Sequence, residues 1–266
     1  MGIVTVLTEV VLIITMLLFA TLGVVVGPAR LRSAAADVPD RLRMAIRPIG
    51  ILAAVLLLNS VVRDVGVSVS WIIGVNITGV IYALEGTLVA TIQSAVPVWL
   101  IQYFGYVYVY GYVFLLVFPL LAAFVASERD LLGRTATAYT INYAVGMTCY
   151  LLFVAYGPRN YMPVVEPLLF DTLPRFQLLT SEVNASTNVF PSLHTSLSVT
   201  AALLAMDSYE TFPKWTPIAV FLAANIVLST MVLGIHWATD VVAGALLGVV
   251  SVWVVCSPQL RALVRR

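Results

Sequence analysis

The chain has 266 residues, of which 61% are hydrophobic and 10% charged. Soluble domains carry about 25% charged residues, so this composition excludes a soluble globular protein and points to an integral membrane protein. The net charge of +1 gives no argument for nucleic acid, and the two cysteines, Cys149 and Cys256, lie in apolar runs that suggest neither a disulfide framework nor a metal site.

A helix crossing the hydrocarbon core needs about 20 apolar residues. The apolar runs predict spans near 4–27, 46–63, 104–126, 136–156, 192–206, 216–234 and 238–256. The first run lacks a basic start, carries Glu9 and continues to Gly27, which predicts a retained span instead of a signal peptide. No linker-like stretch or internal repeat divides the chain. The expected fold is all-α: a polytopic membrane helix bundle forming a single integral membrane domain over 1–266.

Segments 28–47, 127–136 and 207–215 and the tail after 256 carry 11 of the 14 basic residues, while Arg63, Arg159 and Arg175 fall in the alternate loops. By the positive-inside rule this puts the N-terminus outside and the C-terminus in the cytoplasm. Residues 64–103 read as an extended outer segment with one amphipathic helix near 78–95, lying in the interface or folded over the bundle. Glu85 within it reads as a solvated or capping carboxylate, or as a functional one. The tyrosine-rich run 103–112 reads as an aromatic belt, with a head-group or lipid-chain contact as the alternative. The loop 157–190 opens Gly157-Pro158-Arg159-Asn160 and contains Asp171, Arg175 and Glu182. It ends at Pro191-Ser192 and can cover that segment. Two glycosylation-type triplets occur, Asn184-Ala185-Ser186 and Asn76-Ile77-Thr78.

The only two histidines sit in polar islands, Phe190-Pro191-Ser192-Leu193-His194-Thr195 and Ser229 through Gly234-Ile235-His236 to Asp240. Their spacing of 42 positions suits two antiparallel spans, so both imidazoles emerge at one membrane face, the exterior in this topology. Pro191 suits the start of a helix. Ser192 then falls in its first turn or at its cap, where free N–H groups and the dipole favour a phosphate. Asp240 follows His236 at i+4, the spacing that lets a carboxylate fix the imidazole tautomer and suits a nucleophilic histidine. A zinc site and an intramembrane serine protease compete with this reading. There is no third histidine, HExxH pattern or GxSxG-like setting to support them.

At these residues the sequence resembles the type 2 phosphatidic acid phosphatase superfamily. The family motifs PSGH and SRxxxxxHxxxD read here as Pro191-Ser192-Leu193-His194 and as Ser229-Thr230 through His236 to Asp240, followed by Val241-Val242-Ala243-Gly244. The resemblance implies a six-helix catalytic core over 46–256, preceded by an extra N-terminal span and inner loop over 1–45. It implies a metal-independent, cofactor-free phosphatase or phosphotransferase acting on a membrane lipid phosphate. In that mapping His236 becomes a phosphohistidine, Asp240 orients it, and His194 protonates the leaving oxygen. Ser192 and Leu193 hold the phosphate, and Ser229 and Thr230 occupy the second motif's phosphate-binding start.

The family's first motif, KxxxxxxRP, is only partly present. Arg159 is the candidate arginine, with Arg175 as the next, and Leu152 stands where the lysine is expected. Arg41–Pro48 superficially matches that motif but lies on the inner face. Thr230 and Leu193 replace the family's arginine and glycine. The chain is thereby similar to the inositol phosphorylceramide synthase-like branch, which implies head-group transfer to a lipid alcohol as the alternative reaction. A catalytically inactive lipid-binding protein and a transporter are the readings from other classes.

Overall fold

The computed structural model describes residues 3–177 and 189–257, apart from the side chains of residues 63–65. Glu182, the Asn184 triplet and the basic C-terminal tail lie outside the described residues. The elements are α1 (Ile3–Val25), α2 (Pro28–Ala36), α3 (Val38–Ile73), β1 (Val75–Asn76), α4 (Thr78–Glu85), α5 (Leu88–Ala95), α6 (Val98–Tyr106) and α7 (Tyr112–Ala126). They continue with α8 (Arg129–Leu152), β2 (Phe153–Val154), α9 (Pro158–Tyr161), α10 (Leu168–Thr172), α11 (Leu193–Asp207), α12 (Trp215–Val232) and α13 (Ala238–Cys256).

This is an all-α polytopic membrane bundle. Among the described residues, five helical stretches are long and apolar enough to cross a membrane: Ile3–Val25, Val38–Val62, Val98–Ala126, Trp215–Val232 and Ala238–Cys256. The two other predicted spans, α8 and α11, fall outside this set: α11 is only 15 residues long, and α8 carries many Thr, Tyr and Asn side chains. A helix with its polar side chains inside the bundle need not present an apolar surface all round. Thr135 and Asn142 on α8 and Ser196, Ser198 and Thr200 on α11 are fully buried. Asn142 donates to Ala138 O (2.7 Å) and Thr200 Oγ1 (3.1 Å), closing the polar seam between these helices.

Glycines set how closely α11 and α13 approach. A Cβ on Gly244 would lie 2.3 Å from Ser192 O, and one on Gly248 would lie 2.6 Å from Ser196 O. This is the small-residue spacing that lets membrane helices meet backbone to backbone. α3 packs mainly on α8, and α1 packs on α7 and the turn before it. Val6, Ile14 and Leu22 face the bundle, and much of the rest of α1 is exposed, as on a lipid-facing helix.

Three expectations change. Residues 64–73 are not an extended segment: no proline stands between Arg63 and Gly74, and α3 runs on until Gly74. A Cβ at Gly74 would lie 2.5 Å from Ser70 O and 2.9 Å from Leu151 O. The helix expected over 78–95 is broken at Gly86 (φ 56°) into the α4–α5 hairpin. The tyrosine run is no simple belt. Residues Val107–Gly111 form a π turn between α6 and α7, and Tyr108 and Tyr110 are buried. Arg41 lies away from the histidine islands, donating to Phe124 O and Val125 O (3.0 and 2.6 Å) at the end of α7.

Candidate active site

The second island is shaped by Thr230 and Gly234. At the end of α12 the carbonyl of Thr230 accepts from Ile235 N (2.9 Å) and His236 N (3.1 Å), and Gly234 takes φ 67° to complete the turn. His236 then stands just before α13. Its Nδ1 lies 3.4 Å from Asp240 Oδ2, which also accepts from Trp237 N at 2.9 Å. Asp240 is fully buried and His236 nearly so. With Nδ1 toward the carboxylate, Nε2 is the nitrogen left for chemistry.

The first island meets the second through the backbone. Ser192 caps α11, its Oγ accepting from Thr195 N (3.2 Å), and Ser192 N donates to Asp240 O (3.0 Å). The His194 and His236 ring centroids are 6.3 Å apart. Leu193, in place of the family's glycine, packs its side chain onto Gly146, where a Cβ would lie 2.5 Å from Leu193 Cδ2. Gly146 on α8 therefore makes the room that the bulkier residue needs.

His194 is held between two rings: Tyr108 stacks on it at 4.4 Å and Tyr112 lies at 4.3 Å. Tyr150 donates to Pro191 O (3.3 Å) and meets the backbone amide of Leu193, on the α11 start where a phosphate is expected. The sequence reading missed these three tyrosines as site residues. The i, i+4 spacing of Tyr108 and Tyr112 was the available signal, but a lipid-facing belt has the same composition.

Arg159 joins the site from the loop side. Its backbone N donates to Gly234 O (3.1 Å), and a Cβ on Gly157 would lie 2.6 Å from Ile235 O, so the two loops touch. The guanidinium lies over Phe170 (4.7 Å), and its Nη1 is buried without a hydrogen-bond partner among the described residues. Burial lowers its pKa from the usual arginine range, an effect the nearby Tyr108 hydroxyl opposes. A buried guanidinium N–H group without a partner is a feature an anionic ligand satisfies.

Three predicted contacts are placed elsewhere. Arg175 pairs with Glu9 of α1 (3.1 Å) and lies over Phe176, so these contacts lead to the extra N-terminal helix and not to the histidines. The Ser229 and Thr230 hydroxyls donate to Ile226 O and Val227 O of their own helix (2.6 and 2.7 Å). Thr230 acts on the site through its carbonyl. Glu85 is a capping carboxylate, accepting from the backbone N–H groups of Ala238 and Thr239.

A family model described as the PAP2 superfamily matches residues 81–254. This chain belongs to the PAP2 superfamily. The match begins within α4, after α3, and takes in the rest of the α4–α5 hairpin and both histidine islands. Membership supports a membrane enzyme of the lipid phosphatase or phosphotransferase type. No curated protein and no solved structure gave a match.

Proposed function

We propose that this PAP2 protein transfers the phosphoryl or phosphatidyl-type group of a membrane lipid through a phosphohistidine on His236, without a metal. The observation that carries this reading is the meeting of three separate parts of the chain. They are the buried His236–Asp240 pair, the α11 start with Ser192 and with His194 at 6.3 Å from His236, and the Arg159 loop, whose backbone bonds to Gly234 and whose Nη1 is buried without a partner among the described residues. In the first step His236 Nε2 attacks phosphorus. The bond from phosphorus to the leaving oxygen breaks, and His194 gives that oxygen a proton. In the second step a water or lipid alcohol attacks phosphorus, His194 takes its proton, and the P–N bond breaks. Arg159, Ser192 and the Leu193 amide hold phosphate oxygens, and such donors supply much of the barrier lowering. The distribution of basic residues supports an exterior site, within one membrane domain.

Phosphate release from phosphatidate and a polyprenyl diphosphate, with release of inositol phosphate from phosphatidylinositol beside it, as one panel in EDTA, tests the hydrolytic form. Release at the wild-type rate by His236→Ala would overturn it. One structural fact favours the transferase form. Leu152 holds the expected lysine position and is 44% exposed, and the Thr230 hydroxyl turns back onto α12. The cradle is therefore short of cations, which suits a singly charged phosphodiester better than a dianionic monoester. Transfer of labelled head group from phosphatidylinositol to a ceramide, with no free phosphate, is the result that reading expects.

Arg159→Ala should lower kcat/KM by about 10²–10³-fold, the usual cost of removing one preorganised donor. The comparison is made under the same panel conditions. An unchanged kcat/KM would move the phosphate contact away from α9.

A further inference from the structure

The α4–α5 hairpin contributes none of the groups in the two steps above, yet it makes specific polar contacts to the loop that carries His236. Glu85, at the end of α4, accepts from Ala238 N (2.9 Å) and from Thr239 N, the opening N–H groups of α13. A helix normally meets these donors with a polar side chain at its own cap. Here the cap residue is Trp237, and its indole donates elsewhere, to Tyr156 O (2.8 Å). The missing cap comes from 153 residues away.

Gln93, on α5, makes the second contact. It is 9% exposed, and its side-chain amide bridges two loops. Nε2 donates to Val232 O (3.1 Å) at the end of α12 and to Glu166 O (3.0 Å) in the loop after Arg159. Oε1 accepts from Glu166 N (3.1 Å). A Cβ on Gly234 would lie 2.8 Å from Gln93 Nε2, so the amide fits directly against the turn that sets His236. A buried amide must find such partners, and these partners join the nucleophile's loop to the phosphate-binding loop. The other face of the hairpin carries exposed Val80, Leu84 and Leu88, as an interfacial element would. Burying an apolar residue at 93 would serve packing alone.

We infer that the α4–α5 hairpin is the positioning element of the nucleophile. Glu85 fixes the start of α13 behind His236 and Asp240. Gln93 fixes the distance from His236 to the Arg159 loop. Neither residue touches the reacting atoms. This inference rests on His236 being the nucleophile.

The chain holds only two histidines, so protein labelled with ¹⁵N-histidine gives two imidazoles to follow without any substrate. In wild type, His236 should show one tautomer, protonated on Nδ1. In Gln93→Met and Glu85→Ala its nitrogen signals should shift toward tautomer averaging, while His194, clamped by Tyr108 and Tyr112, stays as it was. In turnover assays kcat should fall about 10–100-fold with KM within about threefold, the scale of a 1 Å misplacement. Glu85→Gln keeps one acceptor and should recover most of that loss. Unchanged His236 signals and kcat in both folded variants would overturn the inference, as would a loss confined to KM. His236→Ala is run in parallel. If turnover persists in that variant, the nucleophile assignment itself fails. If turnover vanishes there while the hairpin variants match wild type, only the positioning role fails.

Discussion

His236→Ala is expected to abolish turnover, by at least about a thousandfold, while the protein remains folded and membrane-inserted. Removing a nucleophile that works with a partner base takes away nearly all the catalysis of the unit, leaving only what binding and charge stabilisation provide. His194→Ala removes general acid and base, a contribution of about 10²–10⁴-fold. The two should differ in one respect. Wild-type protein quenched during turnover should carry an acid-labile, base-stable phosphate, and His236→Ala should carry none. His194→Ala should still form it from a substrate with a good leaving group, since such an oxygen needs no proton. Labelled phosphate retained by His236→Ala at the wild-type level would place the covalent step on another side chain.

Gly244→Ala is expected to have the second large effect, although residue 244 bears no reactive group. The new Cβ would fall 2.3 Å from Ser192 O, a backbone atom that can move only if the start of α11 moves. That start is also bonded to α13 through Ser192 N and Asp240 O. Separation therefore carries Ser192 and His194 away from His236 and Asp240. Overpacking of this kind costs about 1–3 kcal/mol, and a 1 Å displacement between catalytic groups costs about 10²-fold in rate. Turnover and thermal unfolding in detergent check the two parts separately. Full activity with unchanged stability would mean that the seam is looser than its geometry states.

The membrane helices were legible because lipid-facing and buried spans share one demand, a long apolar run. Helices also stand at the other two predicted positions, α8 and α11, but they are not among the five stretches long and apolar enough to cross a membrane. The end of α3 was missed because hydropathy falls after Arg63, while a helix tolerates the single Gly66 and stops only at Gly74. The pairing of His236 with Asp240 and its meeting with Ser192 follow from spacing, which the sequence displays directly. Arg159 and Arg175 could not be separated, because the reach of a loop is set by what it packs against. Glu9, at the far end of the chain, is what takes Arg175. Glu85 was legible as a capping carboxylate, but the helix it caps was not, and Gln93 was not singled out, for the same reason. Local capping rules look within one turn, and both side chains act on backbone more than a hundred residues away or across a loop.

At 1.5 Å per residue the 36 residues of α3 reach about 54 Å, well beyond a hydrocarbon slab of about 30 Å. α3 ends in a two-residue parallel ladder, Val75 with Phe153 and Asn76 with Val154, that fastens it to the end of α8. Beyond the ladder, Thr78 Oγ1 accepts from Tyr156 N (3.0 Å), and the Trp237 indole donates to Tyr156 O. The hairpin, the Arg159 loop and the histidine turn are thus riveted to one another by protein contacts alone. Hydrophobic mismatch falls first on the exposed perimeter, where much of α1 lies. The expected consequence is that membranes of different thickness leave the distances between the two histidine islands the same.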